Sequence, residues 1–295
     1  MPRFSLIVAT MSRTNELKRF LESLTQQDFS DYEVILVDQN DDDRLQGIMD
    51  EFAGRVPLLR ISSPKGASRA RNNGLRAASG DLIAFPDDDC WYSPGLLPKV
   101  GQWFRDHPKY SIFAVGALDE DGVPSGNRWF QSSCDLLPIN VFRTTFCSSL
   151  FFRWEALYGN AFDEAIGPGS STGFGCGDET DLVLKVLNSR FRGRFDRTWC
   201  IGHPRRDMLY DGVSRSRAFT YGSGMGYVLW KHSLLFLWIG LLTYDVLRGL
   251  LVFSRGRPSA ASLCFVHASG LLRGFAAGVS ARARLHGEVN VEAPE

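Results

Sequence analysis

Leu82-Ile83-Ala84-Phe85-Pro86-Asp87-Asp88-Asp89-Cys90-Trp91 runs from an apolar segment straight into three consecutive carboxylates. The apolar part reads as a buried strand, closed by a proline. Three acids at the end of such a strand repel one another and lose part of their hydration, a costly arrangement unless a cation sits among them. Hard oxygen ligands suit Mg²⁺ or Mn²⁺, and Mg²⁺ in protein sites is usually shared with substrate phosphates. The stretch points to metal-assisted chemistry on a phosphorylated substrate. The plain alternative is an acidic surface turn, since Asp is also a common turn residue.

On either side of this stretch, short apolar runs alternate with amphipathic ones. Phe4–Thr10, Tyr32–Val37 and Leu58–Ile61 read as strands. Glu16–Leu24 has Leu17, Phe20, Leu21 and Leu24 at helical spacing, with Ser12 or Thr14 placed to cap it. Leu45–Phe52, Ala67–Ala78 and Pro94–Phe104 read as further helices. This alternation predicts an α/β layer on a parallel sheet, in which ligands bind beyond the carboxyl ends of the strands. Thr10, Asp38-Gln39-Asn40 and Asp87-Asp88-Asp89 all fall at such ends. Beyond residue 110, Ser111–Leu118 and Thr144–Phe152 read as strands, residues 119–138 as an excursion, and Asp178–Leu187 as a helix. Gly167–Gly177, with five glycines, reads as a loop able to fold closely over a ligand.

Composition bounds the rest. The 295 residues are 44% apolar and 22% charged, which excludes a disordered chain and allows one large domain or two smaller ones. Residues 1–201 carry 22 Lys/Arg against 27 Asp/Glu, whereas residues 202–287 carry 11 against 3. An acidic first part and a basic, apolar second part suggest two tasks, the second at an anionic surface. Nothing in this pattern predicts a nucleic-acid partner. The six cysteines lie far apart, with no CxxC pair, as expected of thiols in a reducing cytosol. The opening residues lead directly into a strand-like run too short for a secretory leader.

Two further constellations carry chemistry. Lys65-Gly66-Ala67-Ser68-Arg69-Ala70-Arg71 is a basic helix start suited to an anion such as a diphosphate. Arg69 and Arg71, two apart, cannot share a helix face; the reading assigns Arg69 to the ligand and Arg71 to solvent. Gly177-Asp178-Glu179-Thr180-Asp181-Leu182 puts three acids in a first helical turn, where they favour the helix dipole. One of them, held beside the glycine loop, is also a candidate general base.

Taken in order, these motifs resemble the family 2 glycosyltransferases with a GT-A fold. The resemblance rests on Ser5–Thr10, Val34–Asn40, Gly66–Gly74, Ser79–Asp89 and Gly177–Leu182, and covers about residues 3–205. It implies an inverting transferase using a nucleotide-diphosphate sugar, UDP-sugar favoured, with Mg²⁺ or Mn²⁺. Thr10, Asp38, Gln39, Asn40, Gly66 and Arg69 would line the nucleotide site. Asp87 and Asp89 match the outer acids of the DXD signature, with Asp89 as direct metal ligand and Asp88 nearer the ribose or sugar. Glu179 falls where the family places its catalytic acid, ahead of Asp178. His203 falls where many such enzymes have a late histidine near the metal, although a plain loop histidine fits equally well. Gln39 stands where the family often has a second acid, and the order of Asp178 and Glu179 is reversed. The acceptor would be a glycan or a lipid-linked saccharide of the cell surface.

Residues 206–295 form the second expected domain. Ser233–Phe253 is the most apolar segment, interrupted at Asp245 short of the ~20 residues a spanning helix needs. Ser259–Val279 is a weaker apolar helix, and Tyr221–Gly226 reads as a tight turn into the first. With Lys231, Arg248, Arg255 and Arg257 alongside, the region suits an in-plane helix at the cytoplasmic face of an anionic membrane. A helical cap on the catalytic domain or an oligomer contact fits the same composition. Two other activities stay open. One is a nucleotidyltransferase, although Ala9–Arg13 lacks the glycine-rich loop expected there; the other is a non-catalytic sugar-nucleotide-binding or scaffolding subunit.

Overall fold

A computed structural model describes residues 3–127, 129–205 and 211–289, the stretch 282–289 by backbone alone. Arg206 and residues 290–295, at the edges of the expected second domain, lie outside the described residues. Two compact units emerge: Met1–Asp163 with Glu179–Arg206, and Glu164–Asp178 with Asp207–Glu295.

The first unit is built on strands β1 (Phe4–Thr10), β2 (Tyr32–Asp38), β3 (Leu58–Ser62), β4 (Leu82–Ala84), β5 (Ile112–Leu118), β6 (Cys134–Asp135), β7 (Leu150–Arg153) and β8 (Gly193–Gly202). They form one sheet in the order β3-β2-β1-β4-β7-β5-β8-β6. β3, β2, β1 and β4 are parallel, and β8 is parallel to β5. β7 runs antiparallel to both β4 and β5, and β6 antiparallel to β8. Helices α1 (Asn15–Thr25), α2 (Gln46–Phe52), α3 (Ala67–Ala77), α4 (Leu96–Asp106), α5 (Trp154–Leu157) and α6 (Asp178–Asn188) connect the strands. Central strands are buried on both faces, so they read as unbroken apolar runs rather than alternating ones; Leu6, Ile7, Val8, Val34, Ile35, Leu36, Ile83 and Ala84 are wholly inaccessible.

Three expectations need adjustment. Thr14 sits at the N-cap of α1 but makes no side-chain capping bond. The strand expected over Thr144–Phe152 is confined to β7, because Cys147–Ser149 winds into a 3₁₀ turn first. Residues 119–138 are not a free excursion, since they supply β6 and the buried Ser125 and Trp129.

The second unit holds α7 (Gly212–Lys231), α8 (Leu235–Ser254) and α9 (Pro258–Val289). The turn expected at Tyr221–Gly226 is instead the middle of α7. Its glycines serve close packing: a Cβ on Gly222 or Gly226 would strike the carbonyl oxygen of His267 or Leu271, and one on Gly270 or Gly274 would strike that of Phe219 or Ser223. Small residues four apart on both helices let the two backbones touch. Asp245, which breaks the apolar run in sequence, is buried on α8 and bonds its Oδ2 to His267 Nδ1 on α9 at 2.5 Å. The outward face of α8 is left apolar, with Phe236, Leu247, Leu250 and Phe253 exposed.

In the first unit, Gly74 on α3 lies against β1 and β2, where an added Cβ would overlap Ile7 Cγ2 and lie 3.0 Å from Val37 Cγ2. Ala gains about 1 kcal/mol of helix propensity over Gly, while overpacking a full core costs about 1–3 kcal/mol. Gly74→Ala is therefore expected to lower stability by about 1 kcal/mol net, read as a lower urea midpoint with unchanged slope.

Candidate active site

The carboxyl ends of β1, β2 and β4 lie side by side, which brings Thr10, Asp38 and the Asp87–Asp89 run to one edge of the sheet. Each acid has its own partners. Asp87 Oδ1 accepts from Arg71 Nη2 at 2.9 Å, and Oδ2 from Ser148 Oγ at 2.5 Å. The 3₁₀ turn before β7 places Ser148, so the antiparallel strand completes the site. Asp88 accepts from Thr10 Oγ1 at 2.7 Å and from Arg13 Nη1 at 2.6 Å. Arg13 Nη1 also lies 2.6 Å from Asp89 Oδ2. Burial pushes the Asp88 carboxyl above its ordinary range, against the opposing pull of Arg13 and the Thr10 hydroxyl.

His203 follows β8. Trp91 and Gly202 exchange both backbone bonds, Trp91 N to Gly202 O at 2.9 Å and Gly202 N to Trp91 O at 2.8 Å. A Cβ at 202 would fall inside the Trp91 ring, so only glycine permits this clip. It sets His203 beside Asp89, with Nε2 3.5 Å from Asp89 Oδ1. On the far side of the ring, Nδ1 lies 3.2 Å from Ser125 Oγ, and that hydroxyl donates to the Pro204 carbonyl at 3.0 Å. A serine hydroxyl has one proton to give. With it on Pro204, Ser125 accepts from Nδ1–H, and Nε2 is the ring nitrogen turned to the Asp89 carboxylate. Phe146 packs edge-on against the ring at 4.8 Å and holds its tilt.

One ligand atom each from Asp87, Asp89 and His203 lies within 4.8 Å of the others. An imidazole nitrogen and two carboxylates this close together are a donor set that a divalent cation can use, and the residues present therefore fit a metal. The nitrogen donor suits Mn²⁺ better than Mg²⁺, which prefers all-oxygen octahedra.

The neighbouring part of the site is polar and pre-arranged. Asp38 Oδ2 accepts from Arg60 Nε at 3.0 Å and Nη2 at 2.7 Å, while Oδ1 accepts from Asn40 N at 2.9 Å and Nδ2 at 2.7 Å. Asp38 has its four lone-pair positions filled, so it orients both Arg60 and Asn40. Gly66 N donates to Gln39 Oε1 at 2.8 Å, tying the start of α3 to the end of β2. Asn40 Oδ1 in turn accepts from Ser12 N at 2.7 Å.

Of the two arginines of α3, Arg71 departs from the expectation that it sits in solvent. Arg71 is buried, pairs with Asp87 and lies 5.5 Å over the Phe162 ring, whereas Arg69 is exposed. They do occupy different faces; the face carrying Arg71 is the one turned to the acids. Arg13, Arg60, Ser125 and Ser148 were not anticipated at all. The signal for Arg60 was present, as a lone charge inside the apolar strand Leu58-Leu59-Arg60-Ile61. On α6, Asp178 is buried, Glu179 is half-buried, and the fully buried Asp181 pairs with Lys185 at 2.9 Å. Of these acids Glu179 is the most accessible.

A family model described as glycosyl transferase family 2 matches residues 5–152. An uncharacterised glycosyltransferase of Haemophilus influenzae is 36% identical over 222 residues, 74% of either chain. The chain belongs to glycosyltransferase family 2 and is a glycosyltransferase enzyme. A second relative, the GalNAc(5)-diNAcBac-PP-undecaprenol beta-1,3-glucosyltransferase of Campylobacter jejuni, is 34% identical over 106 residues, covering 35% of this chain and 34% of its own. Among solved structures, S. aureus TarS 1-349 in complex with UDP-GlcNAc superposes with a TM-score of 0.57 at 16% identity, covering 95% of this chain and 92% of that one. Sheet order and this likeness identify the GT-A fold, here with C-terminal helices.

Ser125→Ala removes the hydroxyl that meets His203 Nδ1. Outer partners of metal ligands typically contribute 10–100-fold in affinity. Mn²⁺ affinity, followed by electron paramagnetic resonance without donor, is expected to fall by about that factor, with stability lowered by about 1–3 kcal/mol for the imidazole group left unsatisfied.

Proposed function

We propose that the protein is an inverting, metal-dependent transferase. It moves a sugar from a nucleotide-diphosphate donor, UDP-sugar favoured, to a hydroxyl of a glycan or lipid-linked acceptor in cell-surface polysaccharide synthesis. The observation that carries this reading is the convergence of Asp87, Asp89 and His203 at the sheet edge that also holds the Asp38–Arg60 pair. UDP is favoured because a similar fold is known with UDP-GlcNAc, and because Arg60 offers only donors, suited to the carbonyl edge of uracil. A relative that acts on an undecaprenol-linked saccharide supports a lipid-linked acceptor.

Asp87, Asp89 and His203 would hold Mn²⁺ or Mg²⁺. Such an ion, when bound, neutralises charge on the departing nucleoside diphosphate. Arg60 and Asn40 hold the nucleoside, Arg13 keeps Asp88 and Asp89 in place, and Arg71 does the same for Asp87. Glu179 takes the proton of the acceptor hydroxyl as its oxygen attacks the anomeric carbon on the face opposite the leaving group. The C–O bond to the diphosphate breaks through an oxocarbenium-like transition state, and the anomeric configuration inverts.

Glu179→Gln is the direct test. Loss of a general base typically costs 10²–10⁴-fold, so kcat is expected to fall by about two orders of magnitude or more. The Mn²⁺-dependent thermal shift produced by UDP should survive. Turnover at the wild-type rate would remove Glu179 from the role.

The same proposal places the protein on the inner face of an anionic membrane. Two helices, Leu235–Ser254 and Pro258–Ala281, are long and apolar enough to cross a bilayer by length and composition. Arg248, exposed within α8, favours a helix lying at the phosphate level over one spanning the core. Replacing Leu250 and Phe253 by Glu removes about 3–6 kcal/mol of apolar transfer. The variant should no longer float with vesicles containing phosphatidylglycerol, while its UDP thermal shift stays as in the wild type.

A further inference from the structure

We propose that Arg273, on α9, is a positioning residue for the helix start that carries Glu179. It does this by clamping the glycine-rich segment immediately before that helix, and the idea rests on the reading of Glu179 as the base. Arg273 Nη2 donates to the Thr172 carbonyl at 2.9 Å. Its guanidinium lies 5.3 Å from the Phe174 ring centroid and 5.7 Å from that of Phe219 on α7. Phe174, buried, stacks on Tyr227 of α7 at 4.6 Å with the rings 17° apart.

From Phe174 onward α7 holds every residue up to the helix. Gly175 N donates to Thr220 O at 2.9 Å, and Cys176 Sγ to Tyr221 O at 3.2 Å. A Cβ on Gly224 would strike the Cys176 carbonyl, and one on Gly177 would lie 3.1 Å from Val228 Cγ2. The segment is closed upon itself as well: Gly167 N donates to Phe174 O at 2.8 Å and Thr172 Oγ1 to Ala165 O at 2.5 Å. These contacts turn what sequence reads as a loose flap into a fixed lead-in ending at Asp178, one residue before Glu179.

The glycines at 173 and 177 have φ of 74° and 94°, a backbone freedom that offers many other paths. Arg273 and the aromatic stack select one. A base must meet its acceptor within a narrow geometry, and displacement of about 1 Å can cost about 10²-fold in rate. The clamp should therefore act on turnover rather than on donor binding.

Arg273→Ala and Arg273→Lys are compared by steady-state kinetics and hydrogen exchange on the full chain with Mn²⁺. In Arg273→Ala the amides of residues 173–177 should exchange at least about tenfold faster, while those of 182–187 keep wild-type protection. kcat per folded molecule should fall about 10–100-fold with donor KM little changed. Arg273→Lys, which retains one donor to Thr172 O, should recover part of both effects. If Arg273→Ala does not fold, Phe174→Leu, which removes the stack, serves with the same readouts. Wild-type exchange in the segment, or lost protection with unchanged kcat, would overturn the proposal. Full activity of Glu179→Gln would instead sink the base assignment, leaving the exchange result to stand or fall by itself.

Discussion

Three adjacent carboxylates at the end of β4 repel one another in surroundings that are largely dry, and the first unit is arranged to make that tolerable. Each acid is answered from a different element: Asp87 by α3 and the turn before β7, Asp88 by β1 and the turn after it, Asp89 by that turn and by the residue following β8. Removing one partner of a buried charge commonly costs 3–5 kcal/mol because the other is left uncompensated. The acids thus tie together segments that are far apart in sequence. The same contacts bring Asp87, Asp89 and His203 together, with one ligand atom of each within 4.8 Å of the others.

The second unit obeys a different constraint. α7 and α9 approach closely enough that glycine is required on both, and the buried Asp245–His267 pair joins α8 to α9. With polar groups satisfied inside, the outward side of α8 is free to be apolar. That side carries Phe236, Leu247, Leu250 and Phe253 together with the exposed Arg248, and Arg255 and Arg257 are exposed just beyond the helix.

Much of the first unit was legible because its central strands are buried on both sides and their polar ends coincide. The run Leu82–Asp89 alone marks a strand and the acids of a metal-like cluster at its end. β8 escaped notice because its ladder with β5 shifts register between Val115 and Gly116, which breaks the alternation a strand would display. The burial of Arg71 was missed because the spacing separates two faces without saying which is covered; that depends on the packing of Gly74 against Ile7 and Val37. Ser125 and Ser148 give no sequence signal, being ordinary serines in irregular segments. For Tyr221–Gly226 the four-residue spacing of Gly222 and Gly226 was the better guide, matched by Gly270, Gly274 and Gly278 on the partner helix.

The segment Glu164–Asp178 belongs with the C-terminal helices although it precedes α6 in the chain. A protein trimmed after residue 205 to improve solubility would look whole by every motif in the family's signature. It would nevertheless strip from Phe174, Gly175 and Cys176 the packing partners that α7 supplies, in the segment that leads into α6. Such a fragment would be the wrong material on which to measure turnover, and a weak rate obtained from it would report the missing bundle rather than the chemistry of the acids.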